Sequence, residues 1–232
     1  MDITAKISVG PHIYEIHSSV INGWILSIVI VIVLLVAKRQ MEQMAPDEKP
    51  KGLALWLEVL VAGVDKFVVG TMGPHNSAFA PFIGMLVLYI SGANLFGLLG
   101  LESPTTDVNV TLALSLFTIW MMVYTGIKKS GVLRTLKNLF FGEFPWLFPL
   151  EVITQLARPI SLAFRLFGAI LSGNLLLHLL YGALGWFSPL LLPFFHIYFD
   201  LFEGLVQVLI FVMLAMIWTS MLTEEIEPEQ KT

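Results

Sequence analysis

Long apolar runs are the feature that most restricts what this chain can fold into. Residues 21–37 (INGWILSIVIVIVLLVA) carry no charge, and the blocks over 149–181 and 188–222 are apolar over still longer stretches. A run of about 20 apolar residues crosses the hydrocarbon core of a bilayer as a helix. Composition agrees, since 56% of the 232 residues are hydrophobic and 13% are charged. The sequence therefore predicts an all-α polytopic membrane protein.

The order of apolar runs and charged connections predicts the organisation of the chain. We expect about five membrane-embedded helices and one interfacial amphipathic helix, with the last two membrane helices long and tilted. The predicted parts are an external N-terminal segment over 1–20, a transmembrane helix over 21–37, an interfacial helix over 53–70, transmembrane helices over 79–101 and 108–127, a cytoplasmic basic loop over 128–142, a helical hairpin over 145–222 and a cytoplasmic acidic tail over 223–232.

The basic residues predict the orientation of these segments. The stretches 38–52 and 128–138 each hold four Lys or Arg residues, whereas the first twenty residues hold one. Cytoplasmic loops of membrane proteins are enriched in Lys and Arg. We therefore expect the N-terminus outside and the C-terminus in the cytoplasm.

The first long helix of the hairpin carries polar side chains at every seventh position of one face: Glu151, Arg158 and Arg165. This spacing drifts by only about 20° per step on an α-helix. Ser161 flanks Arg165 on the same side, and a small residue there allows another helix to approach closely. Asn174 lies about half a turn around the helix from Arg165, and His178 continues its face.

The second long helix has a polar stripe of its own: His196, Asp200, Glu203 and Gln207. Their spacing places them within about 60° of one another on an ideal helix. A charge at bilayer depth costs about 2.5–3.5 kcal/mol on insertion scales and usually faces a protein interior or a water-filled path. Arg165 could pair with Asp200 or Glu203 as a structural ion pair, or it could meet a partner on another chain. The pattern alone leaves both readings open.

Motifs of catalytic chemistry are missing from the sequence. It contains no GxxxxGK[ST], HExxH or GxSxG motif and no cysteine, and its histidines lack metal-ligand spacing. We therefore expect no catalytic residues, no metal site and no cofactor. We expect no nucleic-acid partner, and we expect the chain to be embedded in the lipid bilayer.

Four stretches carry a resemblance to a known family. The segment ARPISLAFRLFGAILSGNLL resembles the arginine-bearing helix of subunit a of F-type ATP synthases, whose signature is RLFG. SGANLFGLLG, TDVNVTLALSL and DLFEGLVQVLIFVMLAMIW agree in the same order, so the resemblance covers about residues 80–222. It implies a non-catalytic, stationary subunit in a bacterial plasma (inner) membrane, with a rotating ring of c subunits, the peripheral stalk b subunits and the remaining synthase subunits as partners.

The resemblance also implies a mechanism and assigns residues to it. Two offset half-channels lead protons or sodium ions to and from the ring carboxylates, and Arg165 separates them. Ion translocation is expected to use six residues: Arg165, Asp200, Glu203, Gln207, Asn174 and His178. The half-channels or their entrances are expected to be lined by Glu151, Arg158, Ser161, Asp107, Asn109 and His196.

Two positions depart from the family pattern, and both bear on the path of ions through the half-channel on the outer side of the membrane. Ala169 stands where the family commonly has Asn, and Asn174 stands where many members carry Glu or His. We therefore expect the ionisable group at that place from His178, one turn further, or from Asp200 and Glu203 alone.

Two other functions are consistent with the polar stripes. A self-sufficient ion-coupled carrier would use Arg165 to bind an anionic substrate, and would take up solute as the purified chain alone. A structural membrane scaffold would tolerate neutral replacements of its intramembrane charges. The chain shows no internal repeat of the kind common in transporters, which counts against the carrier.

Overall fold

A computed structural model describes residues 5–9, 12–43, 51–98, 101–141 and 148–224 of the chain. This part contains eight α-helices: α1 Ser18–Glu42, α2 Leu53–Met72, α3 Ala80–Leu98, α4 Val108–Ser130, α5 Val132–Phe141, α6 Phe148–Leu184, α7 Ser188–His196 and α8 Gly204–Glu224. The predicted helical membrane fold is confirmed. The tail beyond residue 224 lies outside the described residues.

A short β-hairpin precedes the helices. Strands β1 (Ala5–Val9) and β2 (His12–Ile16) are antiparallel, with Ala5 opposite Ile16 and Val9 opposite His12. The apolar runs do not predict this hairpin, because each strand is only five residues long.

Among the described residues, four helical stretches are long and apolar enough to cross a membrane: Ser18–Glu42, Pro74–Phe96, Val108–Lys129 and the fused block Phe148–Leu222. Helix α2 is not among them, since it carries Glu58, Asp65 and Lys66. Its position at the membrane surface stays a prediction.

The main core lies where α2, α3, α6 and α8 meet. Its buried members include Ile83 and Leu86 of α3, Leu166 of α6 and Phe211 of α8. Helix α8 also contacts α4 and α5, so it packs against five helices. Its first turn, which holds Gln207, the last residue of the second polar stripe, lies beside α3.

Two local features differ from a simple helical hairpin. The stretch between α7 and α8, Ile197–Glu203, is π-helical, with i→i+5 hydrogen bonds in place of i→i+4. The chain also reverses between α6 and α7 at Gly185, whose φ of +49° suits a residue without a Cβ.

Helix α5 forms within the segment over 128–142 that is predicted as a basic loop.

Candidate functional site

A cavity of about 960 Å³ opens between α1, α3, α6 and the π-helical segment. Its lining is mostly apolar, but it includes carboxylate, amide and imidazole groups, and for these it is named the polar cavity. Its polar lining comes from five places in the sequence: Ser18, Asn22, Asn94, Glu102, Ser103, Thr106, Asn174, His178, His196 and Glu203. Four of the predicted site residues therefore meet here. They are Asn174, His178, His196 and Glu203.

One end of the polar cavity is formed where α1 begins. Ser18 Oγ donates a hydrogen bond to the Glu102 carboxylate, and Asn22 Nδ2 donates to the Glu102 carbonyl at 2.8 Å. The next turn is held by Ser103, whose Oγ donates to the Ala93 carbonyl at 2.8 Å. Glu102 thus ties α1 to the connection between α3 and α4, and this end of the cavity carries an acid.

The other end of the polar cavity lies at Glu203. The last residue of the π-helical segment is half-buried, and its Oε2 lies 3.7 Å from where a Cβ on Gly173 would stand. The carboxylate therefore lies beside Gly173 of α6, at a distance where an added Cβ would make an ordinary contact with it. Within the described part of the chain, the Glu203 carboxylate has no hydrogen-bond or ion-pair partner. Asp200 lies in the same π-helical segment, and its side chain is outside the described part.

Beside Glu203, α8 passes close to α3. Asn94 Nδ2 donates to the Gly204 carbonyl at 2.9 Å, and a Cβ on Gly204 would stand only 3.0 Å from that nitrogen. One turn further, Gln207 is buried, with 6% of its side chain exposed. Asn94 Oδ1 and Gln207 Nε2 are buried without a hydrogen-bond partner among the described residues. A buried acceptor and a buried donor left in this way are typical places for internal water.

Gln207 does not follow the predicted stripe into the cavity. The prediction assumes an ideal α-helix over residues 196–207, whereas the π-helical turns change the angular relation between His196 and the residues after Glu203. His196 and Glu203 line the cavity, and Gln207 turns into the helix interface instead.

The two predicted histidines differ in their surroundings. His196 Nε2 and the Tyr181 hydroxyl share a hydrogen bond of 3.0 Å, and their rings meet edge to face. This bond joins the end of α6 to the end of α7. His178 is exposed to the cavity from α6, one turn beyond Asn174.

Arg165 stands apart from the cavity, on an exposed face of α6. Exposed apolar side chains flank it, among them Ile160 and Phe164. None of the side chains that the structure describes forms a hydrogen bond or ion pair with its guanidinium. Ala169 lines the cavity one turn further on, about 6 Å along the helix axis from Arg165. The polar cavity thus comes within one helical turn of an exposed arginine.

A second polar cluster lies at the N-terminal end of α6. Gln155 Nε2 donates to Glu151 Oε1 at 3.2 Å and to the Leu139 carbonyl of α5 at 3.0 Å, while its Oε1 accepts from Arg158 Nη1 at 3.0 Å. The Arg158 guanidinium also lies 5.7 Å from the centre of the Trp218 ring on α8. The Gln155 amide therefore joins two of the predicted residues, Glu151 and Arg158. The seven-residue spacing does not predict Gln155.

The remaining predicted residues lie elsewhere. Asp107 caps the N-terminus of α4, because its Oδ1 accepts from the backbone N–H and the Nδ2 of Asn109 at 2.8 and 3.0 Å. Neither residue lines the polar cavity. Ser161 is exposed one turn before Arg165.

Three residues with clear roles in this geometry lie outside the predicted set: Asn94, Glu102 and Gln155. Asn94 falls within SGANLFGLLG, one of the stretches that carries the family resemblance. Glu102 and Gln155 are marked only by being polar beside apolar runs. The contacts that tie them to other elements span 16 or more positions, as for Ser18 with Glu102 and Gln155 with Leu139.

The fold and the site define a class of protein: a multi-pass helical membrane protein with ionisable side chains within an apolar helical stretch long enough to cross a membrane. Similarity to known proteins narrows this class. The sequence profile of the family described as ATP synthase A chain matches residues 20–220. The chain therefore belongs to the ATP synthase A chain family, and the predicted resemblance is confirmed.

Individual relatives agree with the family match. A protein of Trichlorobacter lovleyi named ATP synthase subunit a is 33% identical over 213 residues, which cover 90% of this chain and 88% of the relative. A protein of Solidesulfovibrio magneticus with the same name is 33% identical over 210 residues, covering 89% and 84%. One of Geobacter sulfurreducens is 32% identical over 220 residues, covering 92% and 91%.

Proposed function

We propose that this chain is the stationary subunit a of a rotary F-type ATP synthase, and that it conducts protons or sodium ions to and from a ring of c subunits. Family membership supports the assignment. The observation that carries the mechanism is Arg165, a guanidinium exposed among apolar side chains and without a partner in the described part of the chain. A carboxylate on another polypeptide would supply the missing partner.

The chemistry of Arg165 suits this role. A guanidinium stays charged at any working pH, so it attracts an ionised ring carboxylate whenever one arrives. A ring carboxylate that has taken up an ion is neutral, and it can leave the guanidinium and move into lipid. The same positive charge repels a cation that would otherwise cross directly from one half-channel to the other. The chain itself then carries no catalytic residue.

The polar cavity supports an outer half-channel. Ions would enter beside Glu102, pass His178 and His196, and reach Glu203 beside Asn174. Asp200 and Gln207 belong to the same proposed route, and the unpartnered amide atoms of Asn94 and Gln207 favour water at its inner end. Glu203 supplies a carboxylate near the place where Asn174 replaces the ionisable residue of many family members.

The cytoplasmic half-channel is proposed on the other side of Arg165. The side chains of Glu151 and Arg158 give this end of α6 a carboxylate and a guanidinium, and each is hydrogen-bonded to the Gln155 amide between them. Ser161 lies between this cluster and Arg165. The basic segment that begins at residue 128 supports a cytoplasmic location, with the N-terminus outside, the C-terminus inside and the complex in a bacterial plasma membrane.

Replacement of Arg165 tests the function. Arg165→Ala should abolish ATP-driven ion pumping by membrane vesicles while the soluble head still hydrolyses ATP. Thr154→Val is a matched control on the same helix, because the Thr154 hydroxyl is exposed and bonds only the Leu150 carbonyl of its own helix. Normal pumping by Arg165→Ala, or solute uptake by the purified chain alone, would rule out the proposed role.

Cross-linking tests the proposed partner. The chain has no cysteine, so single cysteines can be placed at Ser161, Gly168 and Ser172 on the Arg165 side of α6, and at Asn174 in the cavity as the control. We expect disulfide cross-links to a cysteine on the carboxylate helix of the c subunit from the first three positions only. If no position cross-links, the ring does not contact this face.

A further inference from the structure

The corner between α4 and α5 presents a surface that the proposed ion path does not use. Helix α4 ends where the Gly131 N–H donates to the Ile127 carbonyl at 2.8 Å, and Gly131 takes a φ of +81°. The Gly131 carbonyl then accepts from the Thr135 N–H at 3.1 Å as α5 begins. The membrane-spanning stretch Val108–Lys129 ends at the same place. Helix α5 therefore starts at the boundary of the membrane.

Helix α5 has one face packed and one face open. Thr135 and Leu139 are buried, and the Leu139 carbonyl is fixed by the Gln155 amide of α6. The open face carries large apolar side chains that are 56%, 87% and 41% exposed, respectively: Val132, Leu133 and Leu136. An exposed apolar stripe on a short helix at a membrane boundary fits the interfacial region of the bilayer.

Positive charge surrounds this stripe. Residues 128–141 contain four basic residues and no Asp or Glu. Lys129 is already engaged, since its ammonium group donates to the Asn76 side chain and to the His75 carbonyl. Lys128 and Lys137 are exposed, and neither forms a hydrogen bond or ion pair with the residues that the structure describes.

An aromatic ladder on α4 runs from the middle of the spanning stretch toward this corner. Phe117, Trp120 and Tyr124 stack in sequence, with ring centres 5.7 and 5.8 Å apart, and all three are exposed. Tyr124 lies near the end of the stretch, and tyrosine is enriched where a bilayer meets water. Lys128 follows Tyr124 by four residues, as Tyr124 follows Trp120, so it continues the same face toward water. This is the level of the lipid headgroups, and the long side chain of a lysine can reach it.

We propose that the α4–α5 corner is a binding surface for an anionic phospholipid of the adjacent leaflet. It comprises Lys128, Val132, Leu133, Leu136 and Lys137. The two ammonium groups donate hydrogen bonds to phosphate oxygens, and the three apolar side chains lie among the upper acyl chain segments. A water-soluble anion would satisfy the lysines and leave Leu133 in water, whereas a phospholipid accounts for both features. The inference does not depend on the ion path.

Site-selective quenching by lipids tests this surface on the full chain in nanodiscs. A bimane label is attached to a single cysteine at Leu133, or at Leu116, which is exposed in the middle of α4 and serves as the reference. Either the phosphatidylglycerol or the phosphatidylcholine of a fixed mixture carries the bromine quencher. We expect brominated phosphatidylglycerol to be enriched at position 133 relative to position 116 by roughly fivefold for each lysine that holds it.

The charge contribution is tested by neutralisation. In Lys128→Gln/Lys137→Gln the enrichment at position 133 should fall to the value at position 116, and added salt should lower it in the parent chain. Unchanged quenching at position 116 shows that the variant is still folded in the bilayer. Equal quenching by both brominated lipids at position 133 would overturn the proposal. So would the lack of any lipid quenching there, which would mean that water or protein covers the surface.

Discussion

Replacing Gly204 by alanine should destabilise the fold at the place where α8 meets α3. The new Cβ would stand 3.0, 3.1 and 3.2 Å from Nδ2, Cβ and Cγ of Asn94, closer than ordinary van der Waals contact. Asn94 cannot move away without losing its hydrogen bond to the Gly204 carbonyl, which is 2.9 Å long. The substitution therefore strains the packing and breaks a polar contact at once.

The size of this effect can be worked out from its parts. Overpacking typically costs about 1–3 kcal/mol, and a lost hydrogen bond about 0.5–1.5 kcal/mol. Alanine regains about 1 kcal/mol of helix propensity over glycine. The net loss for Gly204→Ala is about 2 kcal/mol. For a chain of this length that corresponds to a fall in Tm of about 4–8 °C.

Gly173→Ala is the matched control. Its nearest atoms, Glu203 Oε2 and Phe199 Cβ, would lie 3.7 Å from the new Cβ, an ordinary contact distance. Thermal unfolding of the purified chain in detergent should therefore give this variant an unchanged or slightly higher Tm. If Gly204→Ala unfolds at the same temperature as Gly173→Ala or above it, the close α3–α8 contact does not constrain the fold as argued.

Three further predictions concern the polar clusters. Glu203→Gln should lower passive ion conduction through the membrane sector on the order of tenfold or more, because an amide cannot take up and release an ion. Conduction equal to that of the parent chain would show that Glu203 does not carry ions. Glu102→Ala should lower the local stability of the start of α1 by about 1–2 kcal/mol, since the Ser18 hydroxyl loses its acceptor. Backbone hydrogen exchange at residues 18–22 should become faster, and unchanged exchange would contradict the prediction. Gln155→Leu should lower the free energy of unfolding by about 2 kcal/mol. Gln155→Glu should recover only part of this loss, because a carboxylate accepts from Arg158 but cannot donate to the Leu139 carbonyl. Full recovery would mean that the hydrogen bond to α5 contributes nothing.

The sequence predicts the parts of the site that lie within one helix. Asn174 and His178 are four residues apart on α6, and helical periodicity places them on a common face, as found in the cavity. The resemblance around RLFG correctly indicated the family, because that motif is local and uninterrupted. The helical membrane class follows from hydropathy alone.

Contacts between distant helices could not be predicted in this way. Asn94 meets Gly204 across 110 positions, and Ser18 meets Glu102 across 84, and no periodic pattern encodes such pairs. The position of Gln207 was predicted on the assumption of a regular helix, which the π-helical segment interrupts. Helix α5 lies in the segment that is predicted as a loop from its basic charge, whereas the helical spacing of its apolar residues favours an amphipathic helix, as the structure shows.

The π-helical segment has a consequence for how this chain tolerates a change in length. Its hydrogen bonds close wider rings than those of an α-helix, so the stretch Ile197–Glu203 holds residues that a regular helix would not accommodate. Deleting one residue there would let the chain relax to an α-helix without breaking α7 or α8. The helix would survive, but His196 and Glu203 could no longer both face the cavity while Gly204 stays against Asn94. In this short stretch, chain length itself determines which side chains line the cavity.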